Sequence, residues 1–284
     1  MNAINHAVVV TGASSGIGEA TALRLDELGF TVFAGVRRNE DGNALSAKAS
    51  DRLTPIRLDV TDADSIAAAA TSVENATSGR LHALVNNAGL SVNGPLELLP
   101  VRQIEKLMEV NVIGLMAVTK ALLPLLRRSR GRIVNISSGH GLLAVPDKSA
   151  YAASKFAVRA ISDALRVELR PFGIAVSCLA VGKVETAVLD KILAEREAMV
   201  RDADPEVVEL YRPLWDFFDR EVKDLPGIPP AEVGKVVAQA LTTARPKPHY
   251  LIGPGARKMK NLARLPVRLR DRLFFKTIYG GRPS

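Results

Sequence analysis

Ala7-Val-Val-Val-Thr-Gly-Ala-Ser-Ser-Gly-Ile-Gly18 is the stretch that decides the fold. Residues 7–10 form a short apolar run of the kind that is buried on both faces as a strand. Residues 19–28 follow with helical spacing, and Ala22, Leu25 and Leu28 fall on one side. Between them lies a glycine turn that includes Ser14, Ser15 and Ile17. Gly12 permits the tight turn, Gly16 lets backbone approach a pyrophosphate, and Gly18 lets helix pack on strand. The free N–H groups and positive end of the helix then face the phosphates. The glycines are spaced G-x-x-x-G-x-G rather than G-x-G-x-x-G. The flanking strand and helix are therefore what set this apart from a generic glycine-rich turn.

The alternation continues along the chain. Strand-like runs fall at 7–11, 31–36, 56–58, 81–86, 132–136, 174–179 and 249–252. Helical stretches separate them near 16–28, 41–48, 62–77, 100–126, 149–170 and 230–243. A β-α-β rhythm implies right-handed crossovers and an open parallel sheet. Apolar residues make up 47% of the 284, but aromatics only 5%, which suits an aliphatic core under parallel strands. The expected fold is α/β, a Rossmann-type doubly wound parallel sheet of about seven strands in a single domain. Residues 185–227 break the rhythm and carry Tyr211, Trp215, Phe217 and Phe218 in a charged helical stretch. An insertion there lies above the carboxyl ends of the strands, so it reads either as a substrate lid or as an extra helix packed on the body.

Tyr151 and Lys155 stand four apart in Ser149-Ala-Tyr-Ala-Ala-Ser-Lys155, and so share one face of a helix. An ammonium beside a phenol favours the phenolate and brings it toward general acid-base use. Ser138, thirteen residues before Tyr151 and just after an apolar run, offers a second hydroxyl. A Tyr/Lys pair by itself is more often a solvated pair.

Taken together, Thr11-Gly12-x-x-x-Gly16-Ile17-Gly18, Asn86-Asn87-Ala88-Gly89, Asn111, Ser138 and Tyr151-x-x-x-Lys155 resemble the short-chain dehydrogenase/reductase family in order and spacing. The resemblance covers residues 5 to about 186. The wording of 32–38 and 58–62 looks most like members acting on retinoids, hydroxysteroids and other lipophilic alcohols. The resemblance implies an oxidoreductase in which Ser138 orients a substrate oxygen and Tyr151 moves its proton. Lys155 lowers the Tyr151 pKa and binds the nicotinamide ribose. Asn111 interrupts its helix and holds a water that links Lys155 to solvent. It also puts Asp59 and Val60 at the adenine and Asn86, Asn87, Ala88 and Gly89 under the adenosine ribose. Val184 and Thr186 would sit at the nicotinamide amide, although the usual Pro-Gly before them reads Val181-Gly182 here.

At the end of the second strand, NAD-users place an acid on the ribose hydroxyls. This chain has Val36 followed by Arg37 and Arg38. A guanidinium forks well onto an extra phosphate, so NADP is favoured over NAD, although Ser15 is not basic. No metal is expected. Around the substrate, His140, Asp147 and the apolar Leu142, Leu143 and Val145 suggest a lipophilic pocket, completed by Trp215 and Phe218 from the lid. A Ser138-His140-Asp147 hydrolase lacks a nucleophile elbow, and one residue between Ser and His leaves poor geometry. A cofactor-binding scaffold of the same fold without turnover is the alternative of a different class. Degenerate relatives of that kind usually lose the Tyr or Lys, and both are present.

Net charge is +8, and nine basic residues against Asp271 alone fall in 255–284. Residues 1–254 therefore balance, read as the catalytic domain, and offer no nucleic-acid face. In the basic amphipathic tail, Pro266 breaks or kinks any helix, and Leu and Phe interleave with Arg and Lys. Two readings stay open: contact with anionic membrane, or an apolar side packed beside the lid with the charges in water. One cysteine, Cys178, in a strand-like run, reads as a buried thiol in a reducing compartment. The first ten residues read as lacking a secretory leader, and the expected location is cytoplasmic or peripheral to a membrane's inner face. Apolar helices at 100–126 and 149–170 suggest a homodimer or homotetramer, as in relatives.

Overall fold

The computed structural model describes residues 6–186, 188–224 and 226–280. Seven strands form one parallel sheet in the order β3-β2-β1-β4-β5-β6-β7. They are β1 (Ala7–Val10), β2 (Thr31–Val36), β3 (Leu53–Arg57), β4 (Ala83–Asn86), β5 (Arg132–Ser138), β6 (Ala175–Val181) and β7 (His249–Ile252). The order reverses between β1 and β4, and Val8 pairs with Val32 on one side and Ala83 on the other. Open sheets bind ligands at the carboxyl end of such a reversal, where the neighbouring crossovers part to opposite faces.

Alternate residues of β1 serve opposite layers, as the period of two requires. Val8 and Val10 join Ala22 and Leu25 of α1 (Gly16–Glu27), Leu45 of α2 (Asn39–Ser46) and Val237 and Leu241 of α9 (Pro230–Thr242). Val9 turns the other way, onto Ile66 and Val73 of α3 (Ala63–Ala76) and Val118 and Leu122 of α5 (Leu115–Ser129). The long run Val101–Ser129, apolar and long enough to span a membrane, has half of its most apolar window buried inside the fold. Cys178 is buried in β6, as a structural thiol.

Two elements differ from the sequence reading in ways that have physical causes. The third strand spans Leu53–Arg57 rather than 56–58. Its Thr54-Pro55 hides the apolar signal, and the proline is tolerated because β3 is an edge strand. The fifth strand runs on to Ser138, so the strand itself carries the serine into the cleft.

The 185–227 insertion forms α7 (Val188–Asp202) and α8 (Pro205–Asp224). The tail forms α10 (Gly253–Leu262) and α11 (Val267–Tyr279), separated at Pro266. Packing shows no break at 254/255. α10 begins directly after β7, Ala256 is fully buried, and Met259 lies over Gly139. Ile278 and Phe274 of α11 pack on Leu214 and Phe217 of α8, so the inner side of the tail lies against the insertion. Its outer side leaves Leu269, Leu273, Phe275 and Tyr279 exposed.

Gly18 is where α1 passes closest to the turn below it: a Cβ there would meet the Gly12 carbonyl oxygen at 2.1 Å. Gly18→Ala should therefore cost about 1–3 kcal/mol, as overpacking does. Denaturant unfolding should show a lower midpoint with an unchanged slope.

Candidate active site

The site is assembled where β5 ends and α6 (Ser149–Glu168) begins. After Ser138 the chain makes one tight turn, Gly139–Gly141, and Ser138 Oγ accepts from the His140 N–H at 3.2 Å. Helix α6 lies so close that a Cβ on Gly141 would meet the Lys155 carbonyl oxygen at 2.7 Å. Ser137 Oγ donates to that same carbonyl at 3.0 Å. Ser137 is thus spent on fastening the helix, whereas Ser138 faces the Tyr151 phenol and draws its pKa down against burial.

Lys155 is buried, and its Nζ donates to the Ile136 carbonyl at 3.2 Å, 5.7 Å from the centre of the Tyr151 ring. Burial lowers its pKa to about 8, leaving it mostly cationic at neutral pH. Here the expectation that Lys155 depresses the Tyr151 pKa meets a correction. Burial pushes the phenol up, and the influence opposing it is the Ser138 hydrogen bond. The ammonium is held by the Ile136 carbonyl, 5.7 Å from the ring centre.

Asn111 sits in a π-helical segment, Glu109–Gly114, between α4 (Val101–Met108) and α5. The expected interruption is therefore present, and such segments recur at functional sites. Its Oδ1 accepts from Leu90 N–H at 2.7 Å, while Nδ2 donates to the Leu90 carbonyl at 2.9 Å and to Ser154 Oγ at 3.0 Å. Both amide hydrogens are engaged, so only a second lone pair on Oδ1 remains for a water. A Cβ on Gly89 would stand 3.2 Å from Asn111 Oδ1 and 3.5 Å from Lys155 Nζ. Glycine keeps that floor open.

The dinucleotide side is built around the glycine turn. Gly12 and Gly16 adopt φ of +64° and +58°, which only glycine takes without strain. Ser14 and Ser15 are exposed at its rim, with Ile17 half-buried behind them. Ser15 precedes α1 without capping it, which leaves the first N–H groups of the helix to a ligand. Asn87 Nδ2 donates to the carbonyls of Thr11 and Gly12, both at 3.0 Å, and Ala88 N–H to Thr11 Oγ1 at 2.9 Å. The 86–89 segment thereby fixes the turn. Asn86 is a correction: its side chain points inward, donating to Thr119 Oγ1 and Asn135 Oδ1, both at 2.9 Å. Val60 is buried against Gly114.

Partial burial opposes ionisation of Asp59. Hydrogen bonds from Thr61 and the Arg37 and Lys106 charges nonetheless hold its carboxyl below the usual range. Arg38 forks onto Asp41 at 2.8 and 3.0 Å, whereas Arg37 is exposed beside it and makes no hydrogen bond or ion pair among the described residues. Thr186 comes within contact of Gly16, and Val184 bridges to Ile228. Open N–H donors, glycines with no room for a side chain and an unengaged guanidinium together fit a nicotinamide dinucleotide.

On the substrate side, His140 packs edge-on to the Tyr151 ring at 5.7 Å, and its Nδ1 is buried without a hydrogen-bond partner. Burial, with help from the nearby Lys148 charge, lowers its pKa to about 4. Leu143 and Val145 are buried and Leu142 is half-buried. Trp215 donates to Asp147 Oδ1 at 3.1 Å, and Phe218 packs with Leu214 and Phe217 while its ring lies 5.7 Å from Lys148 Nζ. Lys148 and Arg196 were not singled out in the sequence. Nothing in their surroundings there distinguishes them from surface cations.

The short chain dehydrogenase family model matches residues 6–197. The human protein "Dehydrogenase/reductase SDR family member 9" is 32% identical, aligned over 95% of this chain and 87% of its own. Human "Retinol dehydrogenase 16" is 38% identical over 78% of this chain and 66% of its own. A crystal structure of a short chain dehydrogenase from Burkholderia cenocepacia in complex with NADP superposes with a TM-score of 0.73. It is 27% identical and covers 96% of this chain and 99% of its own.

Protonating His140 must be avoided in the fold but not in the unfolded chain. Its folded pKa of about 4 lies below the ordinary value near 6.5, so the neutral ring's contribution is complete above about pH 6.5. It is lost progressively as pH falls toward 4. The loss is on the order of 3 kcal/mol. Melting temperature against pH should fall through that window, and His140→Gln should flatten the slope.

Proposed function

The chain belongs to the short-chain dehydrogenase family, and we propose that this oxidoreductase moves a hydride between NADP(H) and a lipophilic alcohol or carbonyl. The substrate is a primary or secondary alcohol of steroid, retinoid or long-chain type, or the matching ketone or aldehyde. The observation that carries this is Tyr151 facing Ser138, with the cationic Lys155 buried 5.7 Å from the centre of the phenol ring beside the opening at Gly89.

NADP(H), when bound, supplies or accepts the hydride. Ser138 steadies the substrate oxygen and stabilises charge growing on it. Tyr151, kept as the phenol at neutral pH by its burial, donates the proton in reduction and accepts it in oxidation. Lys155 holds a positive charge in an otherwise uncharged floor, and Asn111 ties that floor to the loop after β4. The 185–227 helices serve as the substrate lid.

NADP rests on Arg37. Arg38 is engaged with Asp41, so Arg37 is the guanidinium left for an extra phosphate. The complex of the Burkholderia cenocepacia dehydrogenase with NADP agrees with that choice, and the retinol dehydrogenase relative agrees with a lipophilic alcohol. Ile113, Met116 and Phe156 are exposed on the long helices, which suits a homodimer or homotetramer. The outer side of α11, basic with exposed Leu and Phe, suits a cytoplasmic enzyme that touches anionic lipid where its substrates dissolve.

A panel of steroids, retinoids and long-chain alcohols, run with both cofactors, tests the reading; no cofactor turnover with any of them would overturn it. Tyr151→Phe should abolish nearly all turnover while cofactor still binds, and Lys155→Ala should harm both.

Arg37→Ala should raise the Michaelis constant for NADPH about ten- to a hundredfold, the worth of one charge-assisted bond, and leave NADH nearly untouched. Equal weakening of both would assign the phosphate elsewhere.

A further inference from the structure

A buried cluster outside the catalytic residues joins the 185–227 helices to the start of the catalytic helix. Asp147 lies four residues before Tyr151, with its side chain almost fully buried and its backbone at φ +66°. A non-glycine residue in that region is strained, and a buried carboxylate needs compensation. Two groups supply it. Trp215 of α8 donates its indole N–H to Oδ1 at 3.1 Å, and Lys148 Nζ donates to Oδ2 at 3.4 Å. Gly94 N–H donates to the Asp147 carbonyl at 2.9 Å, tying in the loop after β4. The two insertion helices are locked to each other by Arg196, which makes two bonds to Asp219 at 2.7 and 2.9 Å.

We propose that Asp147 is a positioning residue: its carboxylate latches the lid to the N-terminus of α6 through Trp215, so that lid closure and the placement of Tyr151 are one event. This rests on reading 185–227 as the substrate lid. The countercharge of Asp147 comes from its sequence neighbour Lys148, which stays with it whether α8 is docked or not. For α8 to leave, the Trp215 bond must break together with the Tyr211–Glu97 bond at 2.7 Å and the contact of Phe218 with Lys148, while the Asp147–Lys148 pair stays together. Apolar packing alone would need neither a buried carboxylate nor a left-handed backbone at this position.

Trp215 is the chain's one tryptophan, so its fluorescence reports the latch without any assay of turnover. Asp147→Gly removes the carboxylate and suits the backbone; Asp147→Asn keeps both an acceptor oxygen and tolerance of positive φ. Asp147→Gly should red-shift the emission and raise acrylamide quenching about twofold or more, and Asp147→Asn should restore both toward wild type. With the most active carbonyl compound of the panel, Asp147→Gly should raise KM about tenfold while NADPH affinity is unchanged. Trp215→Phe, which deletes the N–H and keeps the ring packing, should raise KM similarly. Wild-type emission and quenching in Asp147→Gly would overturn the latch. So would an unchanged KM in Trp215→Phe, which decides the matter if the glycine variant does not fold. Failure of the whole panel with wild-type enzyme, alongside the fluorescence change, would instead count against the substrate reading.

Discussion

The site depends on one close approach, that of α6 to the end of β5. Where they meet there is no room for a side chain at Gly141, and Ser137 is bonded to the helix backbone rather than to a ligand. That contact delivers Lys155 under the sheet edge, where the Ile136 carbonyl receives its ammonium, and leaves Tyr151 one turn earlier, at the Ser138 hydroxyl. A buried cation with a single weak neutral partner is costly, and its lowered pKa expresses that cost. Nearby polar residues do little to lighten it, because Asn111, Asn86 and Asn135 are engaged with one another's elements. They hold the helices and strands at the spacing that keeps the cation in place.

Much of this was legible in the chain because glycines and a period-two pattern report backbone geometry directly. Strand, turn and helix around residues 7–28 need no distant residue to be recognised, and all seven strands lie where apolar runs fall. The third strand blurred because an edge strand tolerates Pro55. Side-chain direction was less legible. Asn86 stands in a stretch read as lining the ribose, yet at the last residue of β4 its amide turns into the sheet's helical cover. Spacing to Tyr151 favours Ser138 over its neighbour Ser137, and alternation on the strand is what separates the fastener from the hydroxyl that faces the tyrosine.

The basic tail illustrates how a charge boundary and a packing boundary can fall in different places. Charge balance divides the chain cleanly at 254/255, but packing does not. The chain leaves β7 into α10, and Ala256 and Met259 cover the turn that follows Ser138. Periodicity weighs apolar residues against water, whereas the boundary of a folded unit depends on which partner covers them. Here the partners are a glycine turn over a hundred residues earlier and helix α8, neither of which the local pattern encodes.

The placement of Tyr151 bears on how the residues divide the work. If the lysine sat at the hydroxyl, the phenol would approach ionisation at rest, and an ion pair would have to form in a desolvated cleft. In this arrangement burial favours the protonated phenol at Tyr151, and Lys155 keeps its positive charge 5.7 Å from the ring centre. The serine bond lightly favours release of the proton, and burial opposes it. The site is therefore neutral at the phenol and positive one turn deeper. A polar group entering it meets a hydrogen-bond donor without first displacing a salt bridge, and charge develops there only as the proton moves.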